Sequence, residues 1–482
     1  MISCHIEKML CLPGVSKLMV FDVAGLSCVF DYTAILTRQG FRIVRYSNVE
    51  AFRLEYEETI KTTDERVAVI VESEIYVPHD IQQRFQRRSV SLGVLFPRLH
   101  TDTLRKFIHD IDLISYAYEE CYEDLKAPSE TEKFVNNVAF SEAVINSYCI
   151  TKISGIMELC NNAVRYTDWV QIARIKAEIQ YYATIANIDC DFSFVEDSFK
   201  QFIENGYARL SSELGIYAPS IVTKTLGFVC GTNNPKVAII VMDGMSMFDF
   251  EVLSRFFTGI EYSLDGTFAI IPTTTPISRQ SILSGKYPRE LANPFSLVGE
   301  EKAFFSAGES LGYAGNQIEY LRGFEPNTSH HAKLIAVVIN EIDDIVHGQR
   351  QQRVGMLAAM QHLGKEGKLQ KLTQNLVRSG FEVYITSDHG NTPCMGVGGF
   401  RSGVEMESKS MRMVVLKDFA DKHQLVDQYA TKYPGHYLDK NYEYFVCEPG
   451  VSYDSKGERV MTHGGMTIDE VIVPFIKIKV VM

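Results

Sequence analysis

The chain has 482 residues, of which 46% are hydrophobic and 22% charged, and its formal net charge is -12. That length predicts about three folding units, that composition excludes a fibrous or disordered chain, and that charge excludes a wide, sequence-independent grip on nucleic acid, leaving only a local basic groove open. No stretch reaches the roughly 20 uninterrupted apolar residues that cross a bilayer, and the first residues lack the ordered regions of a signal peptide. The reading is a cytoplasmic protein with no membrane part. The ten cysteines run from Cys4 to Cys447 without a CxxC pair, which argues for buried free thiols over a zinc ribbon or a disulfide framework.

In chain order, KLMVFD (17–22), FRIVRY (41–46) and RVAVIVES (66–73) are apolar, β-branched runs separated by helix-like stretches. This alternation predicts a small α/β domain over residues 1–100. Asp22 closes the first run without a glycine-rich turn behind it and reads as structural. From residue 101 the period changes. Leu104, Phe107, Ile108, Ile111 and Ile114 fall on one helical face, as do Trp169, Ile172, Ile175 and Ile179, predicting a helical region over 101–235. The turn-forming run Gly231-Thr-Asn-Asn-Pro235 then precedes the strand-like KVAIIVMDG, so a new domain is expected over 236–482.

Chemistry concentrates in this last part. KVAIIVMD delivers Asp243 and Gly244 to a strand end, the place where ligands gather in open α/β sheets. FAIIPTTTPISRQSILSG reads as a second strand bringing Thr273, Thr274 and Thr275 to a Pro-bounded turn and a helix N-terminus, where free N–H groups favour phosphoryl oxygens. LIAVVINEIDDIVHG puts Asp343 and His347 four residues apart on one helix face, a compact ligand pair, with Asp344 as the competing carboxylate. FEVYITSDHGN ends a strand in Asp388 and His389. MTHGGMTIDEVIVPFIKI places His463 before two glycines and an apolar segment. His330 and His331 fit an exposed loop pair and stay outside the set.

The ordered series MDG, PTTTPISRQSILSG, IDDIVHG, TSDHGN and THGGMTIDEVIVP resembles the alkaline phosphatase superfamily, and more narrowly a PglZ domain, over about half of the chain. The resemblance implies a C-terminal α/β/α sandwich with a mostly parallel sheet, preceded by the small α/β unit and the helical region. It also implies two divalent metal ions, zinc first and manganese second. One would be held by Asp243, Thr275, Asp388 and His389, the other by Asp343, His347 and His463. Similarity to phosphodiesterase relatives selects Thr275 among the three threonines as nucleophile, and Arg279 resembles an arginine that contacts phosphate, with a surface or capping role as its alternative. The expected activity is hydrolysis of a phosphodiester, a nucleotide or oligonucleotide among the candidates, with protein partners in phage defence. The competing expectation is a PglZ scaffold or interaction module of a multiprotein defence complex with little catalysis of its own.

Overall fold

The computed structural model describes residues 2–11, 13–23, 25–28, 32–72, 75–232, 234–399, 406–417 and 429–481. It divides into two compact units, Met1–Tyr148 and Cys149–Met482. The division therefore falls at neither residue 100 nor residue 235. It lies inside the helix Glu142–Asn162, where no turn-forming residue marks it. Residues 149–235 instead share a unit with the C-terminal sheet.

The first unit is built on a four-stranded sheet from β1 (Lys17–Phe21), β2 (Phe41–Arg45), β3 (Arg66–Val71) and β4 (Gln86–Ser89), in the order β2-β3-β1-β4. All three pairings are parallel. Leu18, Val20, Ala68 and Ile70 enter one apolar cluster, while Met19, Val67, Val69 and Val71 enter a second. Alternate residues point to opposite faces, and both faces are covered. This is why β1 and β3 read as continuous apolar runs. Strand β4, QRRS, has no such pattern because it pairs on one side only. Asp22, fully buried, accepts bonds from the Leu26 and Ser27 amides and the Tyr32 hydroxyl, so its oxygens organise a loop. The single helix expected through Leu104 and Ile114 is broken: Thr101–Arg105 is followed by a short 3-10 turn and then Ile111–Tyr118.

The second unit contains β5 (Val237–Met242), β6 (Ile260–Phe268), β7 (Ile318–Arg322), β8 (Leu334–Ile339), β9 (Glu382–Thr386), β10 (Thr392–Gly396), β11 (Met406–Ser410), β12 (Met413–Lys417), β13 (Ala430–Tyr433), β14 (Tyr442–Cys447), β15 (Val451–Ser452), β16 (Arg459–Thr462) and β17 (Ile472–Val481). Its main sheet is six-stranded in the order β6-β17-β9-β5-β8-β7. Strands β7, β8, β5 and β9 pair in parallel, and β17 alone runs antiparallel to its neighbours β9 and β6. The expected mostly parallel α/β sheet is thus present. Two small sheets, β15-β10-β16 and β11-β12-β14-β13, were not expected from the sequence. Their strands are short, and several carry polar residues that hide the period-2 signal.

Helices flank the main sheet: α1 (Tyr166–Ala186), α2 (Met247–Ser254), α3 (Thr275–Ser284), α4 (Glu300–Ser310), α5 (Glu341–Gly348), α6 (Gln352–Glu366) and the single turn α7 (Ile468–Val471). Helix α1 packs against α2, α6 and β6. Its Trp169 ring lies 5.2 Å from Phe199 and 5.6 Å from Phe202, both of which contact Phe268 of β6. That shared aromatic core is the reason the helical stretch from Cys149 belongs with the sheet. The run FAIIP is buried but is not a strand, because β6 ends at Phe268 and only the Ala269 amide continues the contact, donating to Val471 O at 2.7 Å. Among the described residues no helix is long and apolar enough to cross a membrane.

Candidate metal centre

The parallel pairing of β5 with both β8 and β9 brings three strand ends side by side. Neighbouring strands are about 4.8 Å apart, so side chains just beyond them meet. Asp243 follows β5, Asp388 and His389 follow β9, and α5 with Asp343 and His347 follows β8 after Asn340. Gly244 has φ +75°, and a Cβ there would lie 3.3 Å from Asp343 Oδ1. Glycine is therefore required both by the turn and by the close approach of the two carboxylate segments. The Gly244 amide donates to Asp388 Oδ1 at 3.1 Å, tying two strand ends together.

The Ser387 hydroxyl fixes the next turn by lying between the Met242 and His389 carbonyls, at 2.7 and 2.6 Å, its one proton shared between them. His389 Nδ1 lies 3.0 Å from Gly390 O. A carbonyl only accepts, so Nδ1 carries the proton and Nε2 presents its lone pair. That Nε2 is 3.0 Å from Thr275 Oγ1, 3.6 Å from Asp243 Oδ1 and 3.9 Å from Asp388 Oδ2. Thr275 Oγ1 is also 3.3 Å from Asp243 Oδ1.

The three threonines separate by their partners. Thr273 donates to Gly465 O at 2.9 Å and accepts the Gly464 amide at 3.1 Å, which makes it a brace. Thr274 is the N-cap of α3, its hydroxyl buried without a partner. Thr275, the first residue of α3, presents its hydroxyl to Asp243 and His389 beside the free amides of the helix N-terminus.

A second group assembles from α5 and the turn after β16. His347 Nε2 is 3.3 Å from Asp343 Oδ2, and His463 Nε2 is 3.3 Å from Asp343 Oδ1. His463 Nδ1 donates to Thr273 O at 2.9 Å, again leaving Nε2 turned inward. Gly464 has φ +113°, and a Cβ there would sit 2.2 Å from Ser410 Oγ. Asp344, His330 and His331 are exposed and stand outside both groups.

Within each of the groups Asp243–Asp388–His389 and Asp343–His347–His463, one ligand atom per residue lies within 4.8 Å of the others. The groups adjoin, with the His389 and His463 rings stacked at 4.0 Å between centroids. Asp388 Oδ2, Asp343 Oδ1 and His463 Nε2 are buried without a hydrogen-bond partner; the 3.3 Å approach of the last two lacks hydrogen-bond geometry. Buried polar atoms are nearly always satisfied, and orphans of this chemistry, carboxylate and imidazole in one space, fit divalent cations.

The electrostatics agree. Burial pushes Asp388 up to about 6, and burial with the neighbouring Asp388 raises Asp243 well above the carboxylate range. Burial and the adjacent His463 hold His389 down to about 4. Burial works against protonation of His463 as well, but the Asp343 carboxylate 3.3 Å away carries it up to about 9. Asp343 in turn is pulled below the ordinary range by His347 and His463 despite its burial. The pattern is a site holding excess negative charge that a cation would relieve.

Arg279 is 1% exposed. Its guanidinium donates to Asp243 Oδ2, to Glu300 Oε2 at 2.7 Å and to Asn340 Oδ1 at 3.4 Å. Its burial excludes the surface role, and a carboxylate lies against both Nε and Nη1. The sequence reading missed Glu300, Arg412 and Glu470. Glu470 accepts the Gly465 amide at 2.8 Å and is paired with the fully buried Arg412. The capping pattern Thr467-x-x-Glu470 was a legible signal for one of them; Glu300 and Arg412 had none.

Residues 228–478 match the family model described as the BREX system PglZ alkaline phosphatase-like domain, a span of about half the chain. The chain belongs to the PglZ family. Its PglZ domain is alkaline phosphatase-like, a fold of metal-dependent phosphoryl hydrolases that implies divalent metal ions, and a buried Asp/His cluster is present in it. Among solved structures the chain is similar to murine ectonucleotide pyrophosphatase / phosphodiesterase 5 at 14% identity, covering 50% of this chain and 87% of that one with a TM-score of 0.37. It is similar to the human ectonucleotide pyrophosphatase / phosphodiesterase 5 at 13% identity, with 50% and 87% covered and a TM-score of 0.36. No curated protein matches the chain.

Proposed function

We propose that this PglZ domain hydrolyses a phosphodiester with Thr275 as nucleophile, using two divalent cations, zinc first and manganese second. The observation that supports it is the meeting of the Thr275 hydroxyl with Asp243 and His389 of one ligand group, which adjoins the second through the stacked His389 and His463 rings. Asp243, Asp388 and His389 with Thr275 would hold one cation, and Asp343, His347 and His463 the other. Bound there, the cations would lower the pKa of the threonine hydroxyl and offset charge on the leaving oxygen.

The chain's own residues supply the rest. The first amides of α3 face the phosphoryl oxygens. Thr275 Oγ1 would attack phosphorus in line as its proton is lost, the P–O bond to the leaving alcohol breaks and that alcohol takes up a proton; water then cleaves the threonyl phosphodiester, releasing the phosphate monoester of the second alcohol and returning the hydroxyl. His347, 56% exposed at its side chain, marks the side open to substrate. A diester is favoured because the TTTP turn resembles that of phosphodiesterase relatives, and the described residues offer two ligand groups and no third. The candidate substrates are a nucleotide or an oligonucleotide, the compartment is the cytoplasm, and the partners would be proteins of phage defence, a reading supported by the family description as a BREX system domain.

The test is hydrolysis of a generic diester and a monoester with added zinc or manganese, alongside elemental analysis. Diester turnover with two equivalents of metal is expected. Metal bound without turnover of either ester would replace this reading with a metal-stapled scaffold.

A further inference from the structure

The strongest unexplained feature is a fully buried ion-pair chain behind Asp243. Thr275 and Arg279 stand four residues apart on α3 and so share one helix face. Thr275 Oγ1 approaches Asp243 Oδ1 at 3.3 Å while Arg279 Nη1 donates to Asp243 Oδ2. One helix therefore grips both oxygens of a single carboxylate. The other edge of the same guanidinium is turned to Glu300 of α4, which is 1% exposed and accepts from Arg279 Nε at 2.7 Å. Glu300 also accepts from the Tyr320 hydroxyl, and the half-exposed Arg322 donates to Tyr320 Oη at 2.7 Å.

We propose that Arg279 and Glu300 are positioning residues that hold Asp243 in one rotamer for cation binding, Glu300 acting through Arg279. The inference rests on Asp243 being a metal ligand, as proposed above. Two physical arguments carry it. A planar fork with a carboxylate on each edge has almost no freedom to turn, so it transmits the position of α4 to Asp243. Glu300 also balances the arginine charge. Without it, Arg279 would itself neutralise Asp243 and compete with a cation for that carboxylate; with it, part of the arginine charge is drawn to Glu300, which the half-exposed Arg322 also approaches at 3.5 Å.

The experiment measures zinc and manganese binding by calorimetry in the full chain and in Arg279→Lys, Glu300→Gln and Tyr320→Phe, together with melting temperature and kcat and KM on a generic diester. The expected result is an affinity loss of about 10- to 100-fold for one of the two ions in Arg279→Lys and Glu300→Gln. A loss of a few fold is expected in Tyr320→Phe. The other ion should bind unchanged, and kcat should fall with KM little altered. A raised KM with both affinities intact in Arg279→Lys would make Arg279 a substrate contact and overturn the proposal. Lower melting temperatures with both affinities within twofold would reduce the chain to packing and overturn it equally. If Arg279→Lys does not fold, Tyr320→Phe carries the same comparison. Failure of the metal-site reading itself would show separately, as absence of binding in the unaltered chain.

Discussion

Asp243, Asp388 and His389 hang from strand ends in the middle of the main sheet and are cut off from water, whereas Asp343 and His347 stand on α5 with the imidazole largely in solvent. The inner group has two carboxylates and one imidazole and the outer group one carboxylate and two imidazoles, and their proton affinities move in opposite directions. In the inner group burial dominates: carboxylates rise and the imidazole falls. In the outer group the members satisfy one another: Asp343 falls and His463 rises. The two groups thus play unequal parts. The inner group is a strained anion hole that a cation would relax, and the outer group is a self-paired cluster that a cation must displace protons to enter.

Four measurements break or sharpen this contrast. The largest effect is expected from Thr275→Ala, since loss of a nucleophile costs on the order of 10⁶ in rate. Diester turnover should vanish while both ions remain by elemental analysis, and retained turnover would remove the inner group from the chemistry.

Next is Asp388→Asn in chelator-treated protein. Removing a buried charge that burial disfavours should raise stability by about 1–4 kcal/mol, read as a higher denaturant midpoint, while ion binding at the inner group collapses. A lower midpoint would mean the inner carboxylates are already relieved without metal.

The third is a pH profile. The folded pKa of His463 lies above its unfolded value, so its stabilisation is complete below about 6.5 and is lost as pH rises through about 9. The displacement bounds the loss at about 3 kcal/mol. His389 has the opposite sign, its contribution being present above 6.5 and lost as pH falls toward about 4. Chelated protein should therefore lose stability across the alkaline limb, and His463→Gln should flatten that limb alone.

The smallest effect belongs to His347→Ala. Its side chain is exposed, so the melting temperature without metal should move by no more than about 0.5 kcal/mol equivalent, while occupancy of the outer group drops. A large destabilisation would show that His347 is a structural element of α5.

Part of the candidate site could be read from the chain because Asp243, Asp388 and His389 sit where an apolar run stops. Val237–Met242, Leu334–Ile339 and Glu382–Thr386 announce themselves as buried strands, and the polar residues just beyond them belong to the sheet's carboxyl edge. The strands β4, β6 and β16 were not legible, since their polar or mixed residues pair at edges or in small sheets where burial does not impose a pattern. Arg279 shows the same limit on a single side chain. Its place after the TTTP turn fits a phosphate contact, and only Glu300, 21 residues further on, turns it toward the protein interior.

The sequence by itself determined the strand ends, the helix N-terminus behind Thr275 and the chemistry of every ligand candidate, because hydrophobic periodicity and glycine turns are local properties. Only the tertiary structure decided which threonine faces the ligands, where the chain divides into units, and that residues 149–235 share the core of the sheet. Those depend on contacts between residues far apart in the chain, such as Trp169 with Phe199 and Lys176 with Asp469 at 2.6 Å, which no local pattern encodes.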